Sequence, residues 1–181
     1  MRVSAAILSA LVAPSAALSF WNFDAQKGIS SNEDLKIPGQ SPLEYCPDKK
    51  SEGFIEIYNI DLAPNPPAAG KNLIIKATGA VKRPIENGAY IDLTVKYGLI
   101  RLLTTRADLC DKIGEVDLKC PLNPGDMQIT KTVELPNEIP PGTYTVTADV
   151  FSAHHKRITC LTATVKFNMN GLGESDDGDE L

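Results

Sequence analysis

Few residues in this chain could do chemistry: four cysteines, two adjacent histidines and a scatter of carboxylates. His154 and His155 are neighbours, so in an extended segment their side chains point to opposite faces and cannot share one substrate. With Lys156 they read as a solvated hairpin turn. No Gly-x-Ser-x-Gly elbow and no phosphate-cradling glycine loop is present. Glu56, Asp92 and Glu134 lie on polar strand faces, where they serve solubility. The residues therefore assign no catalytic group and no cofactor, and an enzyme is the weakest reading.

The cysteines point to oxidation rather than to metal. No Cys-x-x-Cys pair exists and the histidines are adjacent, so a zinc site is disfavoured. Four cysteines allow three disulfide connectivities. Cys110 and Cys120, ten apart around Gly114, fit a local loop, which leaves Cys46 with Cys160. A loop that long is worth about 4 to 5 kcal/mol in the chain-entropy model.

Compartment follows from the first nineteen residues. Arg2, an apolar run from Ala5 to Ala13, and small residues Ala17 and Ser19 before Phe20 read as a cleavable secretory leader. That run is shorter than the roughly 20 apolar residues needed to span a bilayer. Net charge is −5, and five acids fall within the last eight residues, so the remainder is close to neutral. Without a basic stripe, nucleic acid is not an expected partner. No Asn-x-Ser/Thr sequon occurs.

The elements that carry these residues are strands. Phe54 to Leu62 reads as a strand of mixed facing, ended by Pro64, Pro66, Pro67 and Gly70. Leu73, Ile75, Ala77 and Gly79 alternate with polar neighbours, interrupted by Ile74. Ile91, Leu93, Val95 and Tyr97 alternate with Asp92, Thr94 and Lys96, the cleanest half-buried pattern in the chain. Gly98 permits a bend, and Leu99 to Leu103 continues extended. Met127, Ile129, Val133 and Leu135 share a face with Lys131. Tyr144, Val146, Ala148 and Val150 form the next set, and Leu161, Ala163, Val165 and Phe167 the last. No segment has a helical period. About seven antiparallel strands with one wet face predict an all-β fold, an immunoglobulin-like β-sandwich, with a closed barrel as the competing solution. Trp21 is the only tryptophan, so the hallmark of antibody domains is missing.

The inward positions include Ala77, Gly79, Ala148 and Ala163, and few aromatic residues follow residue 41. Small inward residues fit either close sheet packing or two sheets standing apart around an internal apolar cavity. In the second case the wall consists of Leu73, Ile75, Ala77, Ile91, Leu93, Val95, Tyr97, Val133, Tyr144, Val146, Ala148, Val150, Leu161, Ala163, Val165 and Phe167. Burying two acyl chains of about fifteen methylenes each gains on the order of 20 kcal/mol. Such a pocket must be continuous and dry.

Three stretches carry a family resemblance: PLEYC at Pro42 to Cys46, APNPPAAGKNLIIKATG from Ala63 to Gly79, and PPGTYTVTADVFSAHHKRITCLTATVKF from Pro140 to Phe167. Together they resemble the ML lipid-recognition family, and within it the fungal Niemann-Pick type C-like branch of phosphatidylglycerol/phosphatidylinositol transfer proteins. The resemblance implies a two-sheet sandwich with lipid between the sheets, a Cys46–Cys160 bond and a mid-chain Cys110–Cys120 bond. Many animal relatives have a further cysteine pair in the first connection, where this chain has only Ala63 to Gly70. The implied cargo is a phospholipid with a glycerol or inositol head, or a sterol as the alternative. A solid-cored immunoglobulin-like interaction module is the reading from a different class.

The expected organisation is a leader at 1–19, a pro-segment or N-terminal arm at 20–37, a lipid-binding domain at 38–170 and a disordered acidic tail at 171–181. A monomer in the secretory lumen, the vacuole or outside the cell, making transient membrane contact, fits this plan. The final Gly-Asp-Glu-Leu resembles a retrieval signal with glycine in place of the usual basic residue.

Overall fold

Alternating apolar and polar side chains favour pleated strands, because each strand then presents one dry and one wet face. In the computed structural model, which describes residues 35–47 and 51–168 and the backbone of 173–175, these patterns form two antiparallel sheets. The leader, most of the 20–37 segment and the end of the acidic tail lie outside the described residues. The strands are β1 (Leu43–Tyr45), β2 (Ile55–Ala63), β3 (Asn72–Val81), β4 (Tyr90–Tyr97), β5 (Ile100–Asp108), β6 (Gly125–Glu134), β7 (Gly142–Phe151), β8 (Arg157–Phe167) and β9 (Gly173–Ser175). The large sheet runs β1-β8-β7-β4-β5, with β9 also paired to β8, and the small sheet runs β2-β3-β6.

Seven of these are the strands expected from the alternation, and the immunoglobulin-like sandwich holds. Two differences concern short elements. β1 and β9 have three residues each, too few for a period to show. β9 falls at the start of the stretch read as a disordered tail, where its backbone adds to the free edge of β8. A six-residue helix, α1 (Leu109–Gly114), also occupies the cysteine loop where no helix was expected. Asp108 caps it, its carboxylate accepting hydrogen bonds from the Cys110 and Asp111 amides.

Both disulfides join the pairs read from the sequence, Cys46–Cys160 and Cys110–Cys120, with Cα separations of 5.4 and 5.6 Å. Cys46–Cys160 staples β8 to the segment leaving β1, and the Cys46 amide donates to the Cys160 carbonyl at 3.0 Å.

Two apolar clusters hold the sheets together. At one end, Phe54, Ile85, Ala89, Val150 and Ile158 are buried, with Ile55, Ile91, Leu109 and Leu122 packed against them. Along one edge, Ile37, Ile60 and Leu62 pack with Leu43, Tyr45, Leu73, Ile75 and Leu161. Ile37 belongs to the segment expected to precede the domain, yet it is core. The chain beside it seals the edge of β2: Pro38 and Gln40 carbonyls accept from the Ile60 and Leu62 amides at 2.8 and 2.9 Å.

Candidate lipid site between the sheets

Strand register fixes which side chains face the gap. Across the large sheet, Leu103, Val95, Val146, Ala163 and Leu43 form one inward row. Thr105, Leu93, Ala148, Leu161 and Tyr45 form the next. On the small sheet, Leu73 pairs with Val133, Ile75 with Lys131, Ala77 with Ile129, and Gly79 with Met127. Each pair shares a face, and the edge cluster shows that this face looks toward the large sheet.

The sixteen residues expected to form the wall all lie on these inward positions, but they do different work. Val150 and Phe167 are buried, and Val150 belongs to the packed end. Leu73, Ile75, Ala77 and Leu161 pack in the edge cluster, and Ile91 packs against the end cluster. The other nine belong to neither cluster. Val146 is 38% exposed and Val133 36%, although both face inward. A solid sandwich would bury both completely. Leu103, in the same row as Val146, is 48% exposed. The sheets are therefore closed at one end and one edge, and solvent reaches the inward rows beside the opposite edge, between β5 and β6.

Gly79 corrects one inference from composition. Alternation places it among the small inward residues that would leave room, but a Cβ there would meet the Glu56 backbone carbonyl. Its smallness serves the close approach of β2 and β3 beside the register shift between Ile57 and Asn59. That shift also explains the mixed facing of β2. Its inward residues Ile57, Ile60 and Leu62 were missed because no regular alternation joins them.

Aromatic residues rim the end away from Phe54. Tyr97 and Tyr144 meet edge-on at 5.2 Å, and Tyr144 meets Phe167 at 5.6 Å. Their hydroxyls donate to Pro141 and Pro140 carbonyls, each at 2.9 Å. Burial, with Tyr97 beside it, raises the Tyr144 phenol above its ordinary range. Gly142 is required there, since a Cβ would run into the Tyr97 ring.

Beside that rim the β4–β5 hairpin turns through Gly98 and exposes apolar surface. Leu99 is 101% exposed, Ile100 65%, and Leu102 also stands out. Lys96 and Arg101 flank this tip. The bend expected at Gly98 is a tight reversal through Gly98 and Leu99, and the stretch expected to continue extended runs back as β5, paired antiparallel with β4.

A separate cleft of about 250 Å³ lies at the packed end, lined by Phe54, Arg83, Pro84, Glu86, Ser152, Ala153, His154 and Lys156. None of the sixteen wall residues reaches it, and it is too small for two acyl chains. His154 and His155 sit in an exposed turn, His155 against the Tyr90 hydroxyl at 2.9 Å.

A family model described as the ML domain matches residues 40–167. A phosphatidylglycerol/phosphatidylinositol transfer protein of Pyricularia oryzae is 49% identical over 172 residues, covering 95% of this chain and 96% of that protein. A protein of the same name from Neurospora crassa is 49% identical over 180 residues, covering 98% and 99%. Among solved structures, a Niemann-Pick type C2 protein from Japanese carpenter ant superposes with a TM-score of 0.50 at 15% identity, covering 70% of this chain and 98% of that one. That last likeness is one of fold.

Proposed function

This chain belongs to the ML-domain family, and from that premise we propose that it is a lipid carrier. It holds a phospholipid of the phosphatidylglycerol or phosphatidylinositol type between its two sheets and moves it between membranes. The relatives from Pyricularia oryzae and Neurospora crassa carry that activity in their names. The observation that carries the reading is the solvent exposure of inward apolar side chains, Val146 and Val133 above all. Apolar surface facing an accessible gap is costly to leave in water, and an alkyl chain removes that cost.

The mechanism needs no catalytic group. Acyl chains enter past β5 and β6, lie along Leu93, Val95, Val146 and Ala163, and stop against the packed Phe54 end. The exposed tip at Leu99 and Ile100 enters the surface of the donor or acceptor bilayer, where its apolar side chains leave water and Lys96 and Arg101 meet anionic headgroups. Transient contact by a monomer suffices. Two disulfides fit work in an oxidising compartment, the secretory lumen, the vacuole or the outside of the cell.

Mass spectrometry of lipid released from protein purified from its own secretory pathway tests this reading. Phosphatidylglycerol or phosphatidylinositol at about one per chain is the expected result. Recovery of sterol alone would replace the cargo, and recovery of no lipid, with no uptake from vesicles, would leave an interaction module.

A further inference from the structure

Lys131 is the one charged side chain on the inward strand positions of the two sheets among the described residues. It sits on β6 opposite Ile75, between Ile129 and Val133, and is less exposed than its outward neighbours Thr130 and Thr132. A lysine among apolar side chains lays its methylenes along them and carries its ammonium to the nearest polar partner. That partner is Glu115, which caps the C-terminus of α1 and accepts from the Lys131 ammonium. α1 follows β5, so this pair reaches across the open edge from one sheet to the other.

Glu115 has a second cation. Lys112 donates to its other oxygen at 3.0 Å, so its charge stays neutralised if Lys131 turns away. Both lysines hold the Glu115 carboxyl below the usual carboxylate range, Lys131 the more. Partly exposed ion pairs of this kind add little to stability, so exchanging one partner is easy.

We infer that Lys131 recognises the headgroup phosphodiester of the cargo, giving up Glu115 for the phosphate when the acyl chains occupy the gap. This rests on the carrier reading above and adds the residue that selects anionic lipid over uncharged lipid. The chemistry suits the position: an ammonium beside an apolar row forms a charge-assisted hydrogen bond to phosphate that water screens less than at an open surface. Glu115 then acts as a competitor, which a purely structural tie would not.

The test uses the intact disulfide-bonded chain and vesicles carrying fluorescent phosphatidylglycerol or diacylglycerol, two lipids alike in chains and different in phosphate. Lys131→Gln is expected to lower the preference for phosphatidylglycerol about tenfold, the scale of one charge-assisted hydrogen bond. Lys131→Arg should hold the preference within about threefold of wild type, and Glu115→Gln should raise it. Opposite signs for the two neutralised positions separate recognition from a strap, since breaking a strap shifts both variants the same way. Thermal unfolding of each variant runs alongside, and if Lys131→Gln does not fold, the predicted gain in Glu115→Gln still decides. A preference unchanged in Lys131→Gln, or lowered in both variants, overturns the inference while leaving the carrier reading in place. Wild type that takes up neither lipid sinks both. sn-Glycerol-3-phosphate added alone is expected not to compete; displacement of lipid by it at micromolar concentration would mark a soluble-phosphate site and overturn the assignment to lipid.

Discussion

The two long edges of this sandwich are built from the same kinds of side chain and end up in different states. Along the β1–β2 edge, Leu43, Tyr45 and Leu161 of the large sheet meet Ile60, Leu62 and Ile75 of the small one, and Ile37 fills the seam. Backbone hydrogen bonds from Ile60 and Leu62 to the preceding segment close that edge, and Cys46–Cys160 ties it. Along the β5–β6 edge, Leu103 of the large sheet and Val133 of the small one face the gap and stay partly exposed, and solvent reaches Val146 on the central strand β7 as well. What separates the edges is the covering chain, not the apolar content. One edge has a strand, an arm and a disulfide laid over it, whereas the other has a short helix and an ion pair.

Breaking the closed edge should cost most. Replacing Cys46 and Cys160 together by serine frees a loop with a sequence separation of 114 and is expected to remove about 4 to 5 kcal/mol of stability in denaturant unfolding. The corresponding change at Cys110 and Cys120, with a separation of 10, should remove only about 2 to 3 kcal/mol.

The same substitution at two positions of β7 sharpens the contrast. Val150→Asp places an unpaired charge in the packed end and should destabilise by about 3 to 5 kcal/mol. Val146→Asp, four residues away on the same face, keeps its charge within reach of water and should cost about 1 kcal/mol or less. Phospholipid transfer between vesicles should nevertheless fall to background in that well-folded variant. Full transfer by Val146→Asp would show that this row is not the wall.

Smaller effects follow at the periphery. Leu99→Ser should leave unfolding within about 0.5 kcal/mol of wild type, because the side chain is fully exposed. It should slow vesicle-to-vesicle transfer several-fold, since less apolar surface enters the bilayer. The outer face supplies the smallest effect. Arg106 donates to both Asp92 carboxylate oxygens at 2.7 Å and holds that carboxyl below its usual range. A depressed carboxylate adds stability that is full above the ordinary value of 3.8 and is lost as pH falls through the folded one. Asp92→Asn should therefore be slightly less stable than wild type at pH 6, with the difference shrinking as pH falls below 3.8 and vanishing once the folded carboxyl is protonated, as read by thermal unfolding across that range.

Much of this was legible in the chain because antiparallel strands with one wet face write their facing into every second residue. β4 shows it: Ile91, Leu93, Val95 and Tyr97 look inward as the alternation requires. The pattern failed where the backbone departs from regular pleating. The shift near Tyr58 hid the inward residues of β2, and the close approach at Gly79 made a packing constraint look like spare volume. α1 is under two turns long, so no period could announce it; Asp108 ahead of Leu109 and Cys110 was the available sign. Leu103 is absent from the expected wall because its facing depends on the tight reversal at Gly98; Lys131 is legible on the apolar face of β6, but its partner Glu115 comes from a distant element that local alternation does not reveal. Which edge stays open depends on long-range cover, which local alternation does not encode.

Cargo lying between the sheets is the claim on which the rest depends, and a phosphatidylglycerol analogue with a diazirine midway along one acyl chain tests it most directly. After uptake, irradiation and proteolysis, adducts are expected on inward residues of β4, β6 and β7, among them Val95, Val133 and Val146. Adducts confined to the outward Thr145 and Thr147, or to the cleft lined by Phe54 and His154, would contradict it.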